Sequence, residues 1–121
     1  LSVSSAASDV YKRQKLYEKS PVKRQFLIKV IKELGLKAEV RGDVRDEKLN
    51  SDIIICRAFK KLEHIIQVSR EIAKKPHKLI ILKGQNAQKE INKSFKNKKY
   101  PYKLEKSITE IDSKIILMNF N

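Results

Sequence analysis

The sequence predicts an α/β fold built on a parallel sheet. Three observations carry that prediction. Ile53-Ile54-Ile55-Cys56 and Leu79-Ile80-Ile81-Leu82 are unbroken apolar runs, amphipathic helical stretches precede and separate them, and each run ends on a cation, Arg57 or Lys83. An unbroken run of strand length reads as a strand buried on both faces, as in parallel sheets covered by helices. Ligands of open α/β sheets bind outside the carboxyl ends of the strands, so Arg57 and Lys83 mark the end where a site belongs.

The elements follow in order. Residues 1–14 are small, polar and aperiodic, and Val3 to Gln14 resembles a translated sequencing-adapter tail. This stretch is set aside as a non-native or disordered leader, and the domain is taken as residues 15–121. Lys15-Leu16-Tyr17-Glu18 reads as the last part of a strand. Ser20-Pro21 opens a helix, with Ser as N-cap and Pro where a missing N–H costs nothing. Phe26, Leu27, Val30, Ile31 and Leu34 share one face of that helix, and Gly35 ends it. Ala38 to Val40 is a short strand, Asp43 to Asn50 a polar connection, and Asp52 to Cys56 a fully buried strand. Leu62, Ile65, Ile66, Ser69, Ile72 and Ala73 form a second amphipathic helix, with Glu63 early, Lys74 and Lys75 late, and Pro76 beyond. Leu79 to Leu82 is the next buried strand. Ala87, Ile91 and Phe95 line a shorter helix, and Tyr102 to Lys106 with Lys114 to Asn119 suit a closing antiparallel pair.

Composition bounds the function. A chain of 121 residues holds one modest core and no second domain. The 28 Lys and Arg against 14 Asp and Glu give a formal charge of +14, which favours a polyanionic partner, although a coding bias toward AT-rich codons would also enrich lysine and isoleucine. The single cysteine, Cys56, excludes an internal disulfide and any cysteine-rich metal site, and fits a reducing cytoplasm. No apolar run approaches the roughly 20 residues of a membrane span. His64 and His77 stand apart from metal-ligand partners, and no Ser/His/Asp or Cys/His constellation is evident. Buried Cys56 reads as an inert strand residue.

With these elements placed, Glu18-Lys19-Ser20-Pro21-Val22-Lys23-Arg24-Gln25-Phe26-Leu27, Arg57-Ala58-Phe59-Lys60-Lys61-Leu62 and Leu82-Lys83-Gly84-Gln85 resemble the glucose-inhibited division protein B family. Its members are the ribosomal RNA small subunit methyltransferases G, and the resemblance runs from Lys15 to the end. It implies a Rossmann-like class I S-adenosylmethionine-dependent methyltransferase sheet and methyl transfer from S-adenosylmethionine to N7 of a guanine in 16S ribosomal RNA. The family's glycine-rich loop after its first strand has no counterpart, because Gly35, Gly42 and Gly84 form no Gly-x-Gly arrangement. The resemblance therefore implies a carboxyl-terminal part of the enzyme, lacking the first strand and helix and inactive alone. The absent strand would be central, between the Leu16 and Ile53 strands. Its loss would leave two rows of unpaired backbone groups, costing about 1–3 kcal/mol each when buried, so the chain should be poorly stable or its halves should pair differently.

The resemblance also implies roles for particular residues. Glu18, ending its strand, would accept hydrogen bonds from the ribose hydroxyls of the cofactor. Val44 and Arg45 match the pair that packs on adenine, with Asp43 where the family tends to have Arg and Arg45 where it tends to have an acid. Arg57 matches a cofactor-binding arginine, whose guanidinium can hold a carboxylate or phosphate in two-pronged fashion; the alternative is an interior ion pair with Asp52 or Glu63.

From Lys83 to Lys106, eight lysines interleave with Phe95, Tyr100 and Tyr102 against Glu90 and Glu105. Cations neutralise phosphates and rings stack on unpaired bases, so Lys83, Lys96, Lys98, Lys99 and Tyr100 are the expected contacts to small-subunit ribosomal RNA. A solvated lysine face over packed Phe95 is the alternative. The expected protein is a monomer without metal or membrane attachment. A noncatalytic basic RNA-binding α/β module is the competing reading, with no use for Glu18 or Arg57.

Overall fold

The computed structural model describes residues 2–5, 13–57, 61–96 and 99–121. Its elements are β1 (Ser2–Ser5), β2 (Arg13–Tyr17), α1 (Pro21–Leu34), β3 (Ala38–Arg41), a 3-10 turn at Val44–Asp46, β4 (Ile53–Arg57), α2 (Leu62–Ile72), β5 (His77–Lys83), α3 (Ala87–Ser94), β6 (Tyr102–Lys106) and β7 (Lys114–Phe120). The strands form a seven-stranded sheet in the order β3-β2-β1-β4-β5-β7-β6. The pairs β2/β3 and β4/β5 are parallel, and β7 runs antiparallel between β5 and β6.

The helix ends form as their residues dictate. Ser20 caps α1, its hydroxyl accepting from the Lys23 N–H, and Pro21 takes the first helical position. Gly35, at φ 61°, takes the left-handed conformation that a side chain would resist, and its N–H returns to the Ile31 carbonyl. The Asp43–Asn50 connection is less polar than its sequence suggests, because Leu49 is buried and exchanges backbone hydrogen bonds with Ile72 and Lys74.

Right-handed crossovers place α1 and α2 on opposite faces, since β3 lies outward from β2 on one side and β5 from β4 on the other. Under α2 and α3 lies the core. Ile54, Leu79, Ile81, Ile116 and Met118 stand in register across β4, β5 and β7 and meet Leu62, Ile66, Ile72 and Ile91, all nearly inaccessible to water. Phe95, Tyr100, Tyr102 and Phe120 close the far end as edge-to-face rings.

Three expectations need correction. First, residues 1–14 were set aside, yet Ser2–Ser5 occupy the centre of the sheet, antiparallel to both β2 and β4, and β2 itself starts at Arg13. Two facing strand edges present rows of unpaired N–H and C=O groups, and backbone pairing answers that need whatever the side chains are. The two halves of the sheet are thus joined. Second, β4 and β5 are buried on one face only: Ile53, Ile55 and Ile80 are half-buried, and Leu82 is exposed. Third, the apolar face of α1 is incompletely covered. Leu27, Val30 and Ile31 are half-buried, whereas Phe26 is 66% and Leu34 66% exposed. The second and third share one cause: among the described residues α1 is the only helix on its face, and it packs toward β3.

Candidate functional site

A cavity of about 410 Å³ opens where β2, β3 and β4 end, and it runs beneath α2. The strands deliver Tyr17 and Glu18, then Gly42 to Arg45, then Cys56 and Arg57, while His64, Ile65 and Val68 of α2 form the opposite wall. Glu18, Val44, Arg45 and Arg57 are therefore brought together. They converge because a parallel register puts all three strand termini at one edge.

Glu18 is fixed from several directions. Its N–H donates to the Arg41 carbonyl, its carboxylate accepts from the Ser20 N–H at 3.0 Å, and its carbonyl accepts from Arg24. The same Ser20 caps α1, so helix start and carboxylate are one local unit. Val44 opens the 3-10 turn and packs, half-buried, against the core. Arg45 does not reach into the cavity as a free cation. Its guanidinium grips Asp43 at 2.8 and 3.2 Å, and the Asp43 carboxylate also accepts from the Arg45 N–H at 3.0 Å. Those bonds hold the Asp43 carboxyl well below the usual carboxylate range, with Lys19 a weaker contributor. Asp43 and Arg45 thus neutralise each other as an ion pair.

Arg57 stands exposed at the rim, and Asp52, one of the two acids weighed as its partner, binds Lys75 at 2.7 Å. Ala58, Phe59 and Lys60 lie outside the described residues. Cys56 lines the wall, and burial pushes its thiol up to about 11, leaving it inert at neutral pH.

Sequence reasoning missed Tyr17. Its hydroxyl donates to Glu47 at 2.5 Å, Glu47 accepts from Arg41 at 3.0 Å, and Arg41 also pairs with Glu39 at 2.9 Å. Burial first, and Glu47 second, raise the phenol above its ordinary range; the Tyr17 bond lowers the Glu47 carboxyl. This chain ties the ends of β2 and β3 to the segment after the 3-10 turn and so sets the wall carrying Val44. The available signal was a tyrosine immediately before Glu18 at a parallel strand end. His64, which the sequence leaves apart from metal-ligand partners, lines the cavity.

The expected RNA contacts divide. Lys83 lies apart from the cavity wall and pairs with Glu90 of α3, its side chain only 10% exposed. Glu90 also accepts from the Leu62 N–H at the start of α2, so the pair pins β5, α2 and α3 together. Tyr100 is half-buried. Its ring packs edge-on against Phe95 and Phe120 beneath the Arg70 guanidinium, which donates to its hydroxyl at 2.8 Å. An aromatic beside its own hydrophobic cluster packs there before it waits for a base. Lys96 and Lys99 are exposed, and Lys98 lies outside the described residues.

Comparison with known proteins places the geometry. The chain is 37% identical over 100 residues to the Ribosomal RNA small subunit methyltransferase G of Pelagibacter ubique, covering 81% of this chain and 47% of that protein. It is 33% identical over 102 residues to the protein of that name from Orientia tsutsugamushi strain Ikeda, covering 84% and 51%. The chain thus spans about half the length of these relatives. Among solved structures, M. jannaschii TYW2 in complex with AdoMet superposes with TM-score 0.55 at 16% identity, covering 88% of this chain and 55% of that one. SMU.776 complexed with SAH superposes with TM-score 0.58 at 15% identity, covering 87% and 38%. At such identities the likeness shows the fold alone, and that fold is the Rossmann-like methyltransferase sheet. The family model for rRNA small subunit methyltransferase G matches residues 6–116, and with the sheet order and strand-end cavity already described, the chain belongs to the GidB family.

Proposed function

We propose that this chain carries the adenosine-binding side of an S-adenosylmethionine-dependent methyltransferase that modifies N7 of a guanine in small-subunit ribosomal RNA. The observation that carries this reading is the cavity at the ends of β2, β3 and β4, which gathers Glu18, Val44 and Arg57. Its residues fit half of the cofactor. Glu18 offers a carboxylate acceptor for two ribose hydroxyls, Val44 and Ile65 offer apolar faces for a purine, and Arg57 at the rim offers a donor fork for an anionic group. The methionine half needs close backbone approach over glycines, and no Gly-x-Gly stands among this chain's three glycines.

Bound in such a site, S-adenosylmethionine supplies an electrophilic methyl group on a sulfonium. The chain's own residues then hold, orient and exclude water. Guanine N7 has a lone pair and no proton to lose, so alignment and electrostatics suffice without a general base. Cys56, the one thiol in the wall, stays protonated and out of the chemistry. Exposed Lys96 and Lys99, with Lys98 beside them in sequence, supply the phosphate contacts of the proposal, and Arg45 steadies the turn through Asp43. The setting is cytoplasmic and the chain a monomer; no described helix is long and apolar enough to cross a membrane.

Titration with adenosine and with S-adenosylhomocysteine by NMR tests the assignment. Weak, saturable shifts are expected at Glu18, Val44 and Ile65, about equal for the two ligands, with Glu18→Gln weakening adenosine roughly tenfold through a lost charge-assisted bond. Shifts unaffected by Glu18→Gln would remove the site. Tight S-adenosylmethionine binding with methyl transfer by this chain alone would refute the division of the cofactor between two parts.

A further inference from the structure

Three lysines stand side by side across one end of the sheet. Lys83 of β5 is in register with Lys114 of β7, and Lys114 with Lys106 of β6, the last pair before the hairpin that joins those two strands. Residues in register share a face, and the contact of Lys83 with Glu90 on α3 shows which face it is. Two residues further in, the same columns carry Ile81, Ile116 and Leu104, which belong to the core or pack on it. Lysine thus takes over from aliphatic side chains where the core stops. Like charges directly opposite on neighbouring strands repel and destabilise a sheet. Lys83 is answered by Glu90, but neither Lys106 nor Lys114 forms an ion pair among the described residues. Glu105, beside Lys106 in sequence, projects from the other face and pairs with Lys103.

The row lies at the edge where a substrate must arrive. β4, β5 and β6 run the same way, so Lys106 ends its strand on the side where Arg57 and the cavity lie. Three interstrand spacings, about 14 Å, separate β4 from β6. Lys96 and Lys99 are elsewhere. They adjoin Phe95 and Tyr100 in sequence, the Tyr100 ring packs on Phe120, and Phe120 is in register with His77 at the start of β5. The 7 residues of β5 put that end about 20 Å from Lys83. Beyond the row, the hairpin carries Glu110 and Asp112, which repel a polyanion, so Lys106 and Lys114 are the last favourable contact on that side.

We propose that Lys106 and Lys114 hold the ribosomal RNA phosphates that flank the target guanine, and that Lys96 and Lys99 touch a more distant stretch of the RNA. This rests on the reading of the cavity as the methyl-donor site. A base presented there leaves its own chain running over the strand ends, past β5 to β7 and β6. A phosphate beside each ammonium group removes their mutual repulsion, and such contacts fix the register of the RNA without reading its sequence. Glu90 keeps Lys83 out of the contact, so the footprint at this edge is two phosphates.

The test measures binding of this chain, by fluorescence anisotropy, to a short labelled oligouridine with one central guanine. The linkages on either side of the guanine are ordinary phosphates in one RNA and uncharged methylphosphonates in the other, with 2′-O-methyl groups there in both for stability. Lys106→Gln/Lys114→Gln should weaken binding of the ordinary RNA roughly five- to tenfold and flatten its salt slope by about 1–2 units, yet change binding of the methylphosphonate RNA less than about twofold. Lys96→Gln/Lys99→Gln should weaken both RNAs alike. The urea midpoint of Lys106→Gln/Lys114→Gln should stay at or above that of the parent chain, because a repulsion has been removed. An equal loss on both RNAs, no loss on either, or a falling midpoint would overturn the proposal. Failure of the cavity reading shows separately, as adenosine shifts that Glu18→Gln leaves unaffected.

Discussion

Removing Glu90 should cost this fold far more than removing Lys83, although the two form one ion pair. The Lys83 side chain is 10% exposed and that of Glu90 28%. Glu90→Ala strands an ammonium group in a nearly dry site and removes the acceptor for the Leu62 N–H. Breaking a fully buried pair costs about 3–5 kcal/mol. Partial exposure of Glu90, and four methylenes that let the ammonium search for water, reduce this to about 2–3 kcal/mol. For a chain of this size that is a fall in Tm of roughly 6–12 °C. Lys83→Met keeps the packing and leaves a carboxylate that water reaches and Leu62 still satisfies, so its cost should stay below about 1 kcal/mol. Urea denaturation followed by circular dichroism measures both, with an unchanged m value as the control. The double variant Lys83→Met/Glu90→Ala should recover most of the loss, since no charge is stranded in it. A Glu90→Ala midpoint equal to that of the parent chain would refute the reasoning. So would a Lys83→Met variant that binds ribosomal RNA with a salt slope shallower by about one phosphate, which would make Lys83 a backbone contact after all.

Other outcomes follow from single sites. Leu79 is wholly inaccessible at the centre of the core, so Leu79→Ala should cost about 2–5 kcal/mol in the same urea assay, with a loss under 1 kcal/mol contradicting its placement. His77 is buried against Phe120, its Nδ1 lies 3.2 Å from the Lys75 carbonyl oxygen, and its Nε2 is enclosed without a partner. Burial lowers its pKa, so its contribution to stability is complete above the unfolded value of about 6.5 and is lost as pH falls through the folded value. A urea midpoint that declines between about pH 7 and pH 5, and a flatter profile for His77→Gln, are expected; equal slopes would exclude the histidine. Cys56, its thiol pushed up to about 11 by burial, should resist Ellman's reagent at pH 8 in the folded chain and react at once in denaturant.

What could be read from the sequence was what local chemistry decides. Ser20, Pro21 and Gly35 specify their helix ends through groups within four residues, and all three behave as read. Arg57 was legible because it ends an apolar run, and ligands of a parallel sheet bind at that edge, whereas Glu18 and Val44 were legible only through the resemblance to the family. Burial was legible only in part. An unbroken run such as Ile53 to Cys56 records what the strand is composed for, not what covers it, and Ile53 and Ile55 lack a helix above them. The strand at Ser2–Ser5 was illegible for a different reason: its place depends on two distant edges left open, and backbone pairing leaves no trace in side-chain pattern.

The lysine-rich stretch shows where composition stops informing. A sequence reports how many cations a segment has but not which are already neutralised, and here the difference changes the expected footprint. Lys83 is taken by Glu90, and Lys103 lies 3.0 Å from Glu105. Tyr100, the ring most suited by sequence to stack on a base, is half-buried and packs against Phe95, Phe120 and Arg70. The aromatic cluster and the lysines therefore do different work: the rings close the core at the β6/β7 edge, and the cations left facing water are Lys96 and Lys99 among the described residues expected to touch RNA. Each phosphate neutralised contributes close to one unit to the salt slope, so Lys96, Lys98 and Lys99 together predict about −2 to −3, and exposed Lys89, Lys93 and Lys106 add to this only where they also reach phosphate. Lys96→Ala and Lys99→Ala should each remove about one unit, and a slope that neither changes would move the RNA to another face of the molecule.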